Sequence, residues 1–194
     1  MTDGADGADG VHRAGGTAGF LAVDSGGSGL RVAVGALTAT RAGGTGPLVR
    51  RASREPVRTG PRGIDPGHLL EQLLPLARAS AAAAGVDRLT TAVVGAAGLA
   101  TLGDGLRAEL PGALLGRLGT ERLALAADAV TAYTGALGFA PGAVVAAGTG
   151  LIAVGTDLTG WRRADGWGHL LGDCGGGAWT GRAGLEAALR AHDG

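Results

Sequence analysis

The chain has 194 residues, a formal net charge of zero, and 17 basic residues that are all arginine. A P-loop needs a lysine to reach the β- and γ-phosphates, so the absence of lysine excludes that class of nucleotide site. The balanced charge gives no support to a nucleic-acid partner, and the single cysteine excludes an intramolecular disulfide.

The N-terminal residues and the hydropathy pattern indicate where in the cell the protein is expected. Residues 1–18 repeat Gly-Ala-Asp and lack the apolar core of a signal peptide, so they are expected to be a disordered leader. No stretch of the sequence approaches the ~18 apolar residues of a membrane-spanning helix. We therefore expect a cytoplasmic protein with no membrane or nucleic-acid partner.

After the leader, the sequence predicts three strands and a loop. Apolar runs indicate strands at 20–25 and 30–37, separated by a glycine-rich turn, and a weaker strand at 47–53. Residues 54–64 contain two prolines and two glycines and are expected to form a loop.

The middle of the chain predicts helices that alternate with strands. Leucines at helical spacing, preceded by Asp-Pro, indicate a helix from Asp65 to about Gly85. The segments that follow are a buried strand at 89–97, a helix at 104–118 interrupted by Pro111, a strand at 123–127 and a helix at 128–137.

Near residue 142 the strand–turn–strand pattern starts again. Strands are expected at 142–147, 151–156 and about 161–163, with a final helix over about 178–191. We predict an α/β chain with a mixed sheet. Residues 19–138 are expected to form one subdomain, and 139–194 the start of a second, incomplete copy of it.

Two glycine-rich turns between strands are candidate phosphate sites. The first contains Asp24, Gly26, Gly27 and Ser28, and the second contains Gly148, Thr149 and Gly150. Small residues let backbone N–H groups reach an anion, and the Asp24 carboxylate can hold a divalent metal or its water. An ordinary hairpin turn is the alternative for each. The pair favours function, because two such turns can close on both sides of one nucleotide.

Asp128 lies at a junction between a buried strand and a helix. Capping the helix N-terminus is the commonest role of aspartate at such a position. Open α/β sheets also bind ligands at the carboxyl ends of their strands, where this carboxylate could act as a general base. Both roles remain open at this point.

The segment from Asp165 to Gly177 combines a tryptophan, a histidine and two aspartates with many glycines. The face of Trp167 could stack on a sugar ring, and Asp173 could bind hydroxyl groups or a hydrated metal. His169 is expected to be structural, and a Cys–His metal site is not expected because no further ligands cluster nearby.

These motifs together resemble the BadF/BadG/BcrA/BcrD-type ATPase family, and within it the N-acetylglucosamine and glucosamine kinases. The motifs that carry the resemblance are Val23–Ser28, Gly95–Gly98, Ala127–Ala129, Ala147–Gly150 and Gly166–Asp173. The resemblance implies the ribonuclease H-like ATPase fold of actin and hexokinase, with ATP and Mg²⁺ as cofactors. It also implies an ATP-dependent sugar kinase that phosphorylates an amino sugar.

The resemblance further implies roles for individual residues. Asp24 would lie near Mg²⁺, Ser28 would belong to the first phosphate motif, and Thr149 would contact the nucleotide. Asp128 would accept the proton of the attacking sugar hydroxyl. The residues implied on the sugar side are Gly166, Trp167, Gly168 and Asp173.

Two alternatives to the kinase stay open. The first is an ATPase that drives a partner protein, as the reductase activators of this family do by bridging an iron–sulfur cluster between two subunits with cysteines. The chain has one cysteine, Cys174, which a homodimer could pool, and it stands where the family usually has an acidic residue. The second is an inactive fragment, because the family's adenosine-binding glycines would lie beyond Gly194. The 194-residue chain alone is expected to bind ATP only in the millimolar range, about 4 kcal/mol.

Overall fold

The computed structural model describes residues 16–26, 29–37 and 48–194. Strands β1 (Ala18–Gly26), β2 (Gly29–Ala36) and β3 (Val49–Ser53) form an antiparallel meander. A short hairpin follows, in which β4 (Thr59–Gly60) and β5 (Gly63–Ile64) have two residues each. Strands β6 (Arg88–Ala96) and β7 (Arg122–Ala127) then extend the sheet in parallel with β1. The resulting order, β3-β2-β1-β6-β7, makes a mixed five-stranded sheet, as predicted.

Helix α1 (Pro66–Ala84) crosses from the meander to β6 and has well-defined ends. The Asp65 side chain accepts a hydrogen bond from the His68 N–H at 3.2 Å, and Pro66 occupies the first helical position. Gly85 ends the helix in the left-handed conformation (φ 64°), which glycine adopts without steric penalty. Both ends lie close to where the sequence predicted them.

The main core lies between one face of the sheet and helices α1 and α3 (Asp104–Leu118), with the short α2 (Leu99–Leu102) beside them. Strand residues alternate between faces, so every second side chain of β1 and β2 points into this core. Its buried members include Leu21, Val23, Leu30, Val32, Val34, Leu69, Leu73, Leu106, Leu110 and Leu114. The alternate residues are left on the opposite face of the sheet.

Helix α4 (Asp128–Leu137) packs on that opposite face and also joins a second, smaller sheet. The smaller sheet is an antiparallel meander of β8 (Gly142–Ala147), β9 (Leu151–Thr156) and β10 (Trp161–Asp165). Ala129 and Tyr133 of α4 are buried with Val154 in a second cluster. The ring of Tyr133 meets Trp161 edge-on, with centroids 5.1 Å apart. Helix α5 (Gly177–Asp193) follows the smaller sheet.

Two sequence predictions for local structure were wrong. Helix α3 continues through Pro111 without interruption. Proline inside a helix costs about 3 kcal/mol, and complete burial of a leucine stabilises by roughly 1.5–3 kcal/mol, so Leu106, Leu110 and Leu114 together outweigh it. Residues 54–64, predicted to be a loop, also contain the β4–β5 hairpin.

Most of the predicted leader, residues 1–15, lies outside the described residues. Thr17 donates its N–H to the Asp87 carboxylate at 2.7 Å, and Ala18 is already the first residue of β1. In the described part of the chain, no helix has the length and apolar character required to cross a membrane.

Candidate active site

Two carboxylates predicted from separate motifs lie along one open cleft of about 770 Å³. Asp24 reaches it from β1, and Asp128 reaches it from the first turn of α4. The floor of the cleft is the sheet face opposite the main core, where small side chains such as Ala22 and Ala33 leave space. The fold therefore brings together an acid and a helix terminus that are far apart in sequence.

Asp24 is paired with an arginine on the neighbouring strand. Asp24 and Arg31 are directly opposite each other in the β1–β2 register, and their side chains meet at 3.0 Å. Both side chains are about half exposed, at 48% and 57%. An ion pair with this much exposure contributes at most about 1 kcal/mol, so Arg31 does not commit the Asp24 carboxylate to a purely structural role.

Asp128 is the first residue of α4, and Ala127 before it occupies the capping position. Its Oδ1 accepts the N–H of Ala129 at 2.8 Å, so the carboxylate satisfies one free N–H of the first turn. Gly95 has no side chain, and this lets α4 pack directly on β6. A Cβ at this position would overlap the Thr131 hydroxyl. The direct contact between helix and strand fixes the height of Asp128 above the sheet.

The second glycine turn is bound to the start of α5. Gly177 donates its N–H to the Gly148 carbonyl at 2.8 Å, and Ala178 donates to the Thr149 carbonyl at 2.9 Å. Within the turn, the Gly148 N–H bonds to the Gly150 carbonyl at 2.9 Å. These bonds tie the turn to the helix terminus, and the Thr149 side chain stays exposed.

Asp173 is buried against this same turn, with 8% of its surface exposed. Its Oδ1 accepts the Gly168 N–H at 3.0 Å, and its other oxygen lies where a Cβ of Gly150 would be. Gly168, Gly150 and Asp173, which the sequence assigned to two different motifs, therefore form one structural unit.

Asp165 organises the loop before α5, a role that the sequence did not predict. Its two carboxylate oxygens accept the N–H groups of Asp173 and Cys174, the latter at 2.9 Å. These hydrogen bonds stabilise the charged form and lower the pKa of Asp165 below its ordinary value. The only sequence signal for it was its position at the start of the glycine-rich segment, just after the strand expected at about 161–163.

The remaining residues predicted on the sugar side lie along the same loop. Trp167 is 66% exposed, and the guanidinium of Arg163 stacks over its ring at 4.1 Å from the centroid. Gly166 has a positive φ of 78° and approaches Ile152 too closely for a side chain. One face of Trp167 is therefore occupied by arginine.

The predicted residues thus fall into two groups. Asp24 and Asp128 share the cleft, whereas Thr149 and Asp173 belong to the unit at the start of α5 and are not among the described residues that line the cleft. Gly26 ends β1 opposite Gly29, at the base of the first turn. Gly27 and Ser28, which the sequence assigned to the first phosphate motif, lie outside the described residues.

A Mg²⁺ site was predicted at Asp24. Among the residues that the structure describes, no three histidine, cysteine or acidic side chains form a metal-binding group. Mg²⁺ in nucleotide sites keeps several waters and uses only one or two carboxylates plus phosphate oxygens. The single carboxylate of Asp24, half exposed on an open cleft, fits that kind of site.

The mixed five-stranded sheet, followed by a second meander, belongs to the actin-like sugar-kinase fold. A sequence profile of the BadF/BadG/BcrA/BcrD ATPase family matches residues 63–194, and the chain belongs to this family. Both the predicted fold class and the predicted family are confirmed.

Solved structures agree with this assignment. A proposed N-acetylglucosamine kinase from Chromobacterium violaceum is 26% identical with a TM-score of 0.59, covering 91% of this chain and 58% of that chain. Another proposed N-acetylglucosamine kinase, from Porphyromonas gingivalis, is 21% identical with a TM-score of 0.63, covering 89% and 57%. The chain therefore spans less than three fifths of the length of these two structures. No curated protein matches the sequence.

Proposed function

We propose that the protein is an ATP-dependent carbohydrate kinase that phosphorylates a hydroxyl group of an amino sugar, N-acetylglucosamine or glucosamine. The observation that carries the proposal is the pair Asp24 and Asp128, which face one cleft from a strand and from a helix terminus. Membership of an ATPase family and the likeness to the Chromobacterium violaceum protein support the use of ATP and the sugar class.

In this proposal the two carboxylates have different tasks. Phosphoryl transfer depends mainly on positioning and on neutralising charge, with a base that orients the attacking hydroxyl. Asp128 accepts the proton of that hydroxyl, and its carboxylate is oriented for this by the Ala129 N–H. Asp24 is assigned to the metal side, where its carboxylate would hold a hydrated cation in place of the weak Arg31 pair.

Nucleotide binding is assigned to the two glycine turns. The first would contribute Gly26, Gly27 and Ser28, and the second Gly148, Thr149 and Gly150. Small residues allow backbone N–H groups to approach phosphate oxygens. Mg²⁺, when bound near Asp24, supplies positive charge that offsets the charge of the transferring phosphoryl group.

The sugar side is assigned to Gly166, Trp167, Gly168 and Asp173. Support comes from their arrangement in one loop, with an exposed tryptophan beside a buried carboxylate. We also propose that residues 19–138 and 139–194 act as two subdomains, with α4 between their sheets.

The test is formation of ADP and sugar phosphate from a panel of hexoses and hexosamines, comparing wild type with two variants. Asp128→Asn should lose about 10²- to 10⁴-fold in kcat, the usual contribution of a general base. Asp104→Asn is the matched control, because Asp104 likewise begins a helix but is fully exposed and pairs with Arg107 at 3.2 Å.

Three results would count against the proposal. An Asp128→Asn variant as active as Asp104→Asn would make Asp128 a structural residue. Phosphorylation of neutral hexoses alone would remove the amino-sugar assignment. ATP hydrolysis without transfer to any sugar would favour the partner-driving ATPase, and iron analysis of the purified protein would then test that reading.

A further inference from the structure

We propose that Asp165 is a positioning residue for the sugar side of the site, because it holds Asp173 in place over the Gly148–Gly150 turn. This inference rests on the proposed kinase function. It concerns a residue that lies outside the two glycine turns in the sequence and acts through the loop it closes.

The first support is the way in which Asp165 joins the two ends of the loop. One carboxylate oxygen accepts the N–H of Asp173 and the other accepts the N–H of Cys174. Hydrogen bonds to a carboxylate are stronger than neutral ones and also directional, so they fix the peptide that connects Asp173 and Cys174. These same bonds lower the pKa of Asp165, which keeps the acceptor ionised near neutral pH.

The second support is the backbone of the loop. Asp165 and Asp173 both have positive φ, 62° and 57°, a region that aspartate tolerates better than most residues. Gly172 approaches the Asp165 carboxylate so closely that a Cβ would overlap it. The chain is therefore folded around the Asp165 side chain, and the conformation of Asp173 depends on it.

The third support is the position of Asp173 over the Gly148–Gly150 turn, together with hydrogen bonds that hold this turn without Asp165. Asp173 is buried over Gly150 and accepts the Gly168 N–H at 3.0 Å. The turn itself is held from the other side, by the N–H groups of Gly177 and Ala178. Loss of Asp165 should therefore displace Asp173 while leaving the turn bound to α5.

Asp157 offers a control in the same sheet. It lies in the β9–β10 turn, at the opposite end of β10 from Asp165. Its Oδ1 accepts the N–H groups of Thr159 and Gly160, each at 2.9 Å, and hydrogen bonds lower its pKa to about 2. Its removal costs two comparable backbone hydrogen bonds but leaves the loop before α5 intact.

The experiment compares wild type with Asp165→Ala, Asp165→Asn and Asp157→Ala in steady-state kinetics with the preferred sugar. Asp165→Ala should raise the sugar KM about tenfold or more while the KM for ATP stays within about threefold. Asp165→Asn should lie between wild type and Asp165→Ala, because its amide oxygen still accepts one N–H. Asp157→Ala should keep both KM values within about twofold of wild type.

The other outcomes distinguish failure of this inference from failure of the proposed function. A sugar KM that is the same in wild type and the Asp165 variants, or that rises equally in Asp157→Ala, overturns the inference and leaves the kinase proposal standing. A wild type that phosphorylates no sugar overturns the proposed function and this inference with it. If Asp165→Ala does not fold, Asp165→Asn decides, with its thermal unfolding compared with that of Asp157→Ala.

Discussion

Asp24 and Arg31 form a weak ion pair at the edge of the cleft. The two side chains face each other across a hairpin and are half exposed, so their attraction is weak enough for a cation to replace it. The sequence supports a metal-binding interpretation of Asp24 from the glycine turn that follows it. The sequence does not predict the pairing with Arg31, because strand register decides which residue lies opposite Asp24.

Asp24→Ala should weaken the dependence on Mg²⁺ and spare sugar binding. We expect the Mg²⁺ concentration for half-maximal activity to rise about tenfold, which corresponds to ~1.4 kcal/mol. The reason is that Asp24 lies in the cleft with Asp128, whereas Trp167 and Asp173 belong to the other group. Activity as a function of Mg²⁺ and of sugar measures both quantities, with Asp104→Ala on the exposed start of α3 as control. A collapse of sugar affinity at unchanged Mg²⁺ dependence would reverse the two assignments.

Asp165 marks the limit of sequence reasoning at the residue scale. Asp173 and Trp167 stand out because such side chains are unusual in a glycine-rich loop. Asp165 lies just after the strand expected at about 161–163, and its role follows from hydrogen bonds to Asp173 and Cys174 that depend on positive φ values. No local pattern encodes that closure.

Helix α4 is the element that joins the two sheets. Its residues Ala129 and Tyr133 face the smaller sheet, while Asp128 and Thr131 face the larger sheet and the cleft. A change in how α4 sits on β6 therefore moves a proposed catalytic group without altering its chemistry.

Gly95→Ala should separate α4 from β6. The new methyl group would overlap Thr131, so we expect a loss of about 1–3 kcal/mol in the free energy of unfolding, typical of overpacking. Activity should fall as well, because Asp128 moves with the helix.

The control is Gly116→Ala in α3, where a Cβ meets nothing within 4 Å. That change should stabilise the protein by roughly 0.5–1 kcal/mol, as alanine favours a helix over glycine. Denaturant unfolding measures both variants. Equal stability of the Gly95 and Gly116 variants would show that α4 adjusts freely on the sheet.

Most elements could be predicted from the sequence, since burial periodicity and turn chemistry agree along the chain. Helix α1, for example, combines an Asp65 cap, Pro66 and a terminal Gly85. Helix α3 shows where the method fails, because Pro111 predicts an interruption that tertiary packing of Leu110 and Leu114 overrides. Propensity is local, whereas the energy of burial depends on partners elsewhere in the chain.

At the scale of the whole molecule, acid sensitivity follows from carboxylates with lowered pKa values. Hydrogen bonds lower the pKa of Asp157 to about 2. The pKa values of Asp165 and Glu186 are also lowered from their ordinary values, by hydrogen bonds from backbone N–H groups and from Arg182, respectively. A carboxyl whose pKa is lower in the folded state stabilises the protein above its unfolded pKa. That stability is lost as the pH falls through the folded value.

Stability should therefore be nearly constant from pH 7 to about pH 5 and fall between about pH 4 and pH 2. The denaturant midpoint measured across this range checks the prediction. Asp157→Asn should start below wild type at neutral pH, lose less on acidification, and approach wild type near pH 2. A variant whose midpoint runs parallel to that of wild type down to pH 2 would show that Asp157 is equally easy to protonate in both states.

Helix α5 has 17 residues and none of them is buried, yet its first turn is hydrogen-bonded to the Gly148–Thr149 carbonyls. A helix of that length extends about 25 Å from this anchor, at 1.5 Å per residue. A tilt of about 10° at the glycine turn would carry the far end of the helix by about 4 Å. A small rotation at the glycine turn would therefore produce its largest displacement near Leu185 and Leu189, which are both exposed.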